Sequence, residues 1–257
     1  MKIKILQLNI WAGSRFPALK KFLKENDFDI LCFQEVSGPR DSGNVHVEFD
    51  SFDALEKILG KTHNSRLVKS NIFAADPNNQ YEANAIFYKN ALQLISEDIL
   101  WLNKRDTPFP QNGPLEELGR SALLLTLSKN SKEFLVINAH LAWAQTSIEQ
   151  PHQRAQNLKL VEKIKDLNKP WILTGDFNIS PENQTILDLE KLGKNLTKEV
   201  GVYNTIDPTV HTAWEKIKPG FPVDYIFVSP DIKVNRFEIL ENIHMSDHFG
   251  LTVTIEL

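Results

Sequence analysis

Short apolar runs of strand length recur from one end of the chain to the other, and helical patterns separate only some of them. That mixture narrows the fold more than any composition figure does. Strand and helix in strict alternation would give a purely parallel, doubly wound sheet, whereas many strands with a few interspersed helices give an α/β domain of another kind. Ile3, Ile5 and Leu8 alternate with Lys2, Lys4 and Gln7 in a first strand that ends at Asn9-Ile10-Trp11. Leu19, Phe22 and Leu23 mark one side of a lysine-rich helix over residues 16 to 25. A second buried strand, Ile30 to Phe33, ends in Gln34-Glu35, and this strand-helix-strand spacing predicts a crossover unit.

Residues 37 to 50 have the composition of a surface loop, and Phe52, Leu55, Ile58 and Leu59 mark a helix. Strands are expected at Arg66 to Phe73, Ala83 to Tyr88 and Leu92 to Leu102, followed by a long irregular loop over residues 103 to 119. Two more strands, Ser121 to Leu127 and Glu133 to Ala139, flank a polar turn. A helix opens at Pro151, with Ala155, Leu158, Val161, Ile164 and Leu167 as its apolar stripe. Trp171 to Leu173 is a buried strand ending at Gly175, and a helix follows near Glu182 to Leu192. Val223 to Val228, Ile232 to Ile239 and Leu251 to Ile255 complete the strands. No repeat or linker divides the 257 residues, so one domain spanning residues 1–257 is expected.

Composition excludes several classes. Cys32 is the only cysteine, which rules out a disulfide framework or a cysteine-based zinc site within one chain, and its apolar surroundings make it a small core residue. A net charge of -4 argues against a protein that coats nucleic acid without specificity. Met1-Lys2-Ile3-Lys4 enters a strand pattern directly, and no apolar run approaches the ~18 residues of a membrane span. A soluble, intracellular monomer is expected.

The residues that end the strands carry the chemistry. The first strand ends at Asn9 and the second at Glu35; the strand from Phe134 delivers His140, and the strand from Trp171 delivers Asp176 and Asn178. Asp224 opens another strand, and Ser246-Asp247-His248 precedes the last one. Gly175-Asp176-Phe177-Asn178 alone is ordinary turn chemistry. Together these positions place carboxylates, histidines and asparagines at the ends of rigid strands, where active sites are built. Oxygen donors without thiolate suit Mg²⁺, Mn²⁺ or Ca²⁺. Histidine titrates near neutral pH and can stabilise a phosphoryl oxygen or move a proton.

Leu8-Asn9-Ile10-Trp11, Phe33-Gln34-Glu35, Asn138-Ala139-His140-Leu141, Gly175-Asp176-Phe177-Asn178, Val223-Asp224-Tyr225 and Ser246-Asp247-His248 resemble, in order, the motifs of the endonuclease/exonuclease/phosphatase superfamily with its deoxyribonuclease I-like fold. The resemblance implies a four-layer α/β sandwich, two mixed β-sheets face to face with helices outside, and a metal-dependent phosphoesterase. It implies that Glu35 binds Mg²⁺ (or Mn²⁺ or Ca²⁺) with help from Asn9 and Asp247. It also implies that Asp176 orients or deprotonates the attacking water and that Asn178 holds the phosphate. His248 resembles the histidine that contacts the scissile phosphate, with Asp224 as its buried partner, and His140 a second histidine on the phosphate side. Arg120, Tyr81 and Trp214 are weaker expectations for substrate binding, with Tyr88 or Asn84 as alternatives to Tyr81. A phosphodiester substrate is expected, a nucleic acid before a phospholipid or phosphoinositide headgroup. A phosphate-binding module without catalysis is the reading outside enzymology.

Overall fold

The protein's structure, a computed structural model, describes residues 1–38, 50–73, 80–110, 113–143 and 147–257. Most of the predicted loop at residues 37 to 50, and part of that at 103 to 119, lies outside the described residues. In chain order the elements begin β1 (Lys2–Asn9), α1 (Phe16–Glu25), β2 (Ile30–Gly38), α2 (Ser51–Leu59), β3 (His63–Ile72), β4 (Tyr81–Lys89) and β5 (Gln93–Asn103). They continue with β6 (Arg120–Lys129), β7 (Lys132–His140), α3 (Pro151–Lys165), β8 (Trp171–Asp176), α4 (Gln184–Glu190), β9 (Lys194–Asn195) and α5 (Leu196–Glu199). The last are α6 (Trp214–Ile217), β10 (Asp224–Val228), β11 (Lys233–Ile239) and β12 (Leu251–Glu256).

The strands form two six-stranded mixed sheets, ordered β11-β12-β1-β2-β4-β3 and β5-β6-β7-β8-β10-β9. Each sheet has one parallel pair, β1 with β2 and β7 with β8, and a helix connects the strands of each pair. The crossover expected between the first two strands is therefore present as β1-α1-β2. Helix α1 starts with Pro17 in its first turn and buries Phe16, Leu19, Phe22 and Leu23, at the spacing of one helical face. Helix α2 is capped by Asp50, whose side chain accepts from Asp53 N at 2.9 Å. Both lie over the outer face of the first sheet, while α3 and α4 cover the second. The layers are helix, sheet, sheet, helix.

The two sheets face each other across a core in which strand alternation sorts the residues. Ile3 and Ile5 of β1, Ile30 and Cys32 of β2, Phe134 and Val136 of β7, Ile172 of β8, and Ile226 and Val228 of β10 meet between the sheets. Burying one such side chain is worth about 1.5–3 kcal/mol, so this interior holds the sheets together. Burial pushes the Cys32 thiol up to about 12, which keeps it an inert core group. Two residues further along each inward face the apolar side chains stop. Gln7 and Asn9, Gln34, Asn138 and His140, Thr174 and Asp176, and Asp224 take their places, and all are buried. The core is thus apolar at one end and polar at the other, and the polar end is where the strand-end motifs converge.

Three expectations change. Gln7 does not face solvent with Lys2 and Lys4; it is fully buried on the inward face it shares with Ile3 and Ile5. The stripe on α3 is Gln153, Asn157, Leu160, Val161 and Ile164, while Ala155 and Leu158 are exposed. The first two of these are polar because the start of α3 is tied down by hydrogen bonds: Gln153 donates to Ala142 O at 2.6 Å and Asn157 to Glu149 at 2.9 Å. Finally, β9, α5 and α6 have no counterpart among the predicted elements, since two to four residues carry no periodicity.

Candidate active site

Strand ends bring the acids together. Strand register sets Asp176 beside His140 on β7 and beside Asp224 on β10. Glu35 sits in a bulge of β2, where the pairing with β4 shifts between Phe33 and Val36 and Glu35 itself takes a φ of 54°. A non-glycine residue held at positive φ is strained, and such strain concentrates at functional sites. The bulge turns Glu35 toward Asn9, whose Nδ2 donates to Glu35 Oε1 at 3.0 Å and to Asp176 Oδ2 at 3.0 Å. The Asn9 oxygen accepts from Trp11 N at 3.0 Å. Asn9 thus presents its amide nitrogen to the two acids. To offer oxygen to a cation the amide would have to turn over and release Trp11.

Asn178 reaches the cluster by a turn and not by strand alternation. It stands at φ 56°, a conformation asparagine tolerates, and its N–H donates to Asp176 Oδ1 at 2.9 Å. Its side-chain Nδ2 donates to Leu141 O at 3.2 Å, which locks the β8 end against the end of β7. Asp176 accepts from Asn9 and Asn178, yet burial pushes its carboxyl up to about 6, with the Asp224 charge adding to the rise and His248 opposing it.

The histidines flank Asp176 in opposite charge states. His248 Nδ1 donates to Asp224 Oδ2 at 2.8 Å, and its Nε2 lies 3.9 Å from Asp176 Oδ2. Burial acts to lower His248, but the charges of Asp224, Asp176 and Asp247 together raise it well above its ordinary value, so it is an imidazolium. His140 is buried beside Arg120, and burial, Arg120 and then His248 hold it well below its ordinary value. Arg120 Nη1 points at His140 Nδ1 at 3.3 Å, which leaves the proton of neutral His140 on Nε2, 3.6 Å from Asp176 Oδ2.

Glu82 on β4 belongs to the same group and was not singled out by its sequence position. It accepts from Arg120 at 3.0 Å and lies 3.7 Å from His140 Nδ1. The available signal was an acid directly before the apolar residues Ala83 and Ala85 of a strand. Arg120 is only 3 % exposed and stands behind His140: its Nη1 donates to Glu82 and points at His140, while its buried Nε has no hydrogen-bond partner. Tyr81 lines a cavity of about 220 Å³ with Glu35, Ser37, Phe73 and Glu82. Burial lifts its hydroxyl to about 12, and Lys69 Nζ lies 4.3 Å from its ring. Its alternatives sit in the interior: Asn84 donates to Ser121 O at 2.8 Å, and Tyr88 packs between the sheets.

Asp247 is nearly buried and accepts from Ser246 Oγ at 3.1 Å, and its charge acts on both Glu35 and His248. The loop before β10 runs along this segment: Asp207 N donates to Asp247 O at 2.8 Å and Ile206 pairs with His248. It brings His211 within electrostatic reach of Asp247 and His248, a second residue outside the predicted set. Trp214 lies on the same loop, half-buried, and its ring abuts Gly220. No described hydrogen bond links it to the acids. Lys218 pairs with Glu215 at 2.7 Å on the surface.

A divalent cation suits the donors present. Burial pushes Glu35 up to about 8, and the charges of Glu82 and Asp247 push in the same direction against the Asn9 hydrogen bond. Such a carboxylate is short of positive charge. Among the described residues, Arg120 is the only lysine or arginine hydrogen-bonded or ion-paired with a member of the cluster, and its partners are Glu82 and His140. Ligand-capable atoms of Glu35, His140 and Asp176 lie within 4.8 Å of one another, as do those of Asp176, Asp224 and His248. Hard oxygen donors with uncompensated charge fit Mg²⁺ or Mn²⁺.

Two mixed sheets packed face to face, helices outside, and a carboxylate–imidazole cluster at the polar end of their shared core define the deoxyribonuclease I-like fold. The chain belongs to the endonuclease/exonuclease/phosphatase family, whose model matches residues 6–248. Solved structures agree at the level of the fold. A mannosyl-6-phosphatase from Bacteroides thetaiotaomicron VPI-5482 superposes with a TM-score of 0.73 at 20% identity, over 99% of this chain and 100% of that one. The human Nocturnin catalytic domain with bound sulfate gives 0.71 at 20% identity, over 99% and 93% of the two chains. An endonuclease/exonuclease/phosphatase from Bacteroides vulgatus gives 0.72 at 20% identity, over 100% and 99%. No curated protein sequence matches the chain.

Proposed function

We propose that the protein is a divalent-metal-dependent phosphodiester hydrolase, with Glu35 and Asp247 as the residues that hold the cation and Asn9 as the amide that spaces Glu35 from Asp176. The observation that carries this reading is the Glu35 carboxylate, which is hydrogen-bonded to Asn9, is raised to about 8 by burial and like charges, and among the described residues has no lysine or arginine paired with it. When bound, the metal would neutralise charge on the phosphate and lower the barrier to attack. The other roles belong to side chains. Asp176 takes the proton of the attacking water, for which a carboxyl near 6 is better matched at neutral pH than one near 4. The water oxygen forms its bond to phosphorus as the bond to the leaving ester oxygen breaks. His248, a charged donor aimed past Asp176, stabilises the phosphoryl oxygens, and neutral His140 offers its Nε2–H on the other side. Asn178 steadies the phosphate from the β8 end.

A diester is favoured over a monoester by charge. A monoester brings a second negative charge, and the described cluster has only Arg120 as a permanent cation, already paired with Glu82. Nucleic acid is the first substrate class to test. Related folds carry names that span a phosphatase and a catalytic domain with bound sulfate, so small phosphoesters belong in the same panel. The experiment offers end-labelled single-stranded DNA, duplex DNA, RNA, a phosphoinositide and a sugar 6-phosphate with Mg²⁺, using EDTA and Asp176→Asn as controls. Metal-dependent cleavage of a nucleic acid, lost in Asp176→Asn, is the expected result. Cleavage of the monoester alone would overturn the diester reading, and no turnover of any substrate would overturn hydrolysis.

A further inference from the structure

Gln34 and Asn138 stand inside the sequence motifs but take no part in the chemistry above, and Gln7 lies in the middle of the protein where an apolar residue is the ordinary choice. The three amides form one buried line. Asn138 on β7 donates through Nδ2 to Phe33 O at 2.9 Å and Ala85 O at 3.0 Å in the opposite sheet. Its oxygen accepts from Gln34 Nε2 at 2.5 Å. Gln34 Oε1 accepts from Gln7 Nε2 at 3.0 Å, and the same Gln7 nitrogen donates to Asp224 Oδ1 at 3.0 Å. Asp224 Oδ2 then receives His248 Nδ1 at 2.8 Å.

Each amide in this line has only one workable orientation. Two carbonyls require the Asn138 nitrogen, so its oxygen faces Gln34. Gln34 must answer with nitrogen, which turns its own oxygen to Gln7. Gln7 must answer with nitrogen in turn, and the second hydrogen of that NH₂ falls on Asp224. The arrangement has a cost: Gln7 Oε1 is buried with no hydrogen-bond partner. An unpaired buried acceptor destabilises a fold, and one kept next to a catalytic pair calls for a reason other than stability.

We propose that Gln7 is a positioning residue of the hydrolytic site. By occupying Asp224 Oδ1 it leaves only Oδ2 for His248 and fixes the plane of the carboxylate. The imidazole then has one orientation, with Nε2–H directed at the space beside Asp176 where the phosphate is proposed to bind. Gln7 acts through Asp224 and His248 and touches neither substrate nor metal. The kinetic part of this role rests on the proposed hydrolysis; the hydrogen-bond part does not.

Gln7→Met tests it, since methionine keeps the length of the side chain and removes the donor. The low-field proton resonance of His248 Nδ1–H, assigned by its loss in His248→Ala, should move or broaden in the folded variant, with Mg²⁺ binding unchanged. Turnover on the substrate of the unmodified enzyme should fall by about tenfold to a hundredfold in kcat with little change in KM. Introduced into His248→Ala, the same substitution should change kcat no further. An unmoved resonance, or an equal loss of kcat in the His248→Ala background, would overturn the proposal. If Gln7→Met does not fold, Gln7→Asn, an amide one methylene too short to reach Asp224, is judged by the same resonance. The resonance is read without substrate, so absence of hydrolysis would count against the proposed function and leave Gln7 to be decided separately.

Discussion

His140 and His248 approach the same carboxylate oxygen of Asp176, yet one is neutral and the other charged. The difference comes from the groups behind them. Arg120 stands behind His140 and Asp224 behind His248, so the first imidazole meets a cation and the second an anion. The two histidines therefore cannot substitute for one another. His248→Ala should lower kcat by about 10²–10⁴-fold, the range of a positioned charged donor, with KM changed far less. His140→Ala should cost less, because a neutral N–H donor is lost. Steady-state kinetics of the two variants check this, and equal losses would contradict the assignment of charge. At this scale the acids, both histidines and Asn9 could be read from the residues because Asn9, Glu35, His140 and Asp176 end apolar runs while Asp224, Asp247 and His248 stand at or just before the start of one. Glu82 could not, since its partners Arg120 and His140 are distant in sequence and meet it only when β4 and β6 face each other across the core. Gln7 was hidden for a different reason: alternation assigns a polar residue to the solvent side, and only the far end of the inter-sheet core reverses that rule.

Among the elements, the parallel pair β7 and β8 does the most to place the chemistry, because its register sets His140 against Asp176. Gly175 lets these strands come close. A Cβ at that position would stand 2.0 Å from Ala139 O, a backbone atom that no rotamer change can move. Gly175→Ala should cost about 1–3 kcal/mol of stability and separate His140 from Asp176. Urea unfolding and kcat measured on the same variant check this; wild-type values for both would show that the strands have slack. Most of the strands were legible because they are long enough to show a period, as was α1 with its single apolar face. Helix α3 was legible in extent and, in its second half, in orientation, since Val161, Ile164 and Leu167 pack on the core as expected, but not in its first half. Its buried face includes Gln153 and Asn157, which sequence reasoning counts as surface until their partners Ala142 and Glu149 are in place.

Over the whole molecule, the central core takes residues from both sheets, and β1 and β12 bring the two ends of the chain together, with the Met1 amine donating to Leu257 O at 2.8 Å. We expect one cooperative unit. Among the described residues no helix is long and apolar enough to cross a membrane. Stability should depend on pH through the acids at the polar end. Glu35 is raised to about 8 from 4.5 and Asp176 to about 6 from 3.8 in the metal-free protein. For a raised group the folded state binds its proton more tightly than the unfolded chain does, so the stabilisation is full below the unfolded value and is lost as pH rises through the folded one. Metal-free protein should thus lose stability between about pH 4 and pH 8. Mg²⁺ should restore it at the upper end, displacing protons as it binds. Thermal unfolding at pH 5 and pH 8, with and without Mg²⁺, checks the sign, and a metal effect larger at pH 5 would contradict it.

The most direct measurement is the rate of hydrolysis of a small aryl phosphodiester against Mg²⁺ concentration, for the unmodified protein, Glu35→Ala and Asp176→Asn. The unmodified protein should show a rate that saturates with Mg²⁺ and disappears in EDTA. Glu35→Ala should need far more Mg²⁺ for any turnover, and Asp176→Asn should bind Mg²⁺ yet turn over poorly at every concentration. A rate that survives EDTA, or that neither substitution changes, would contradict a metal-dependent hydrolytic site at this cluster.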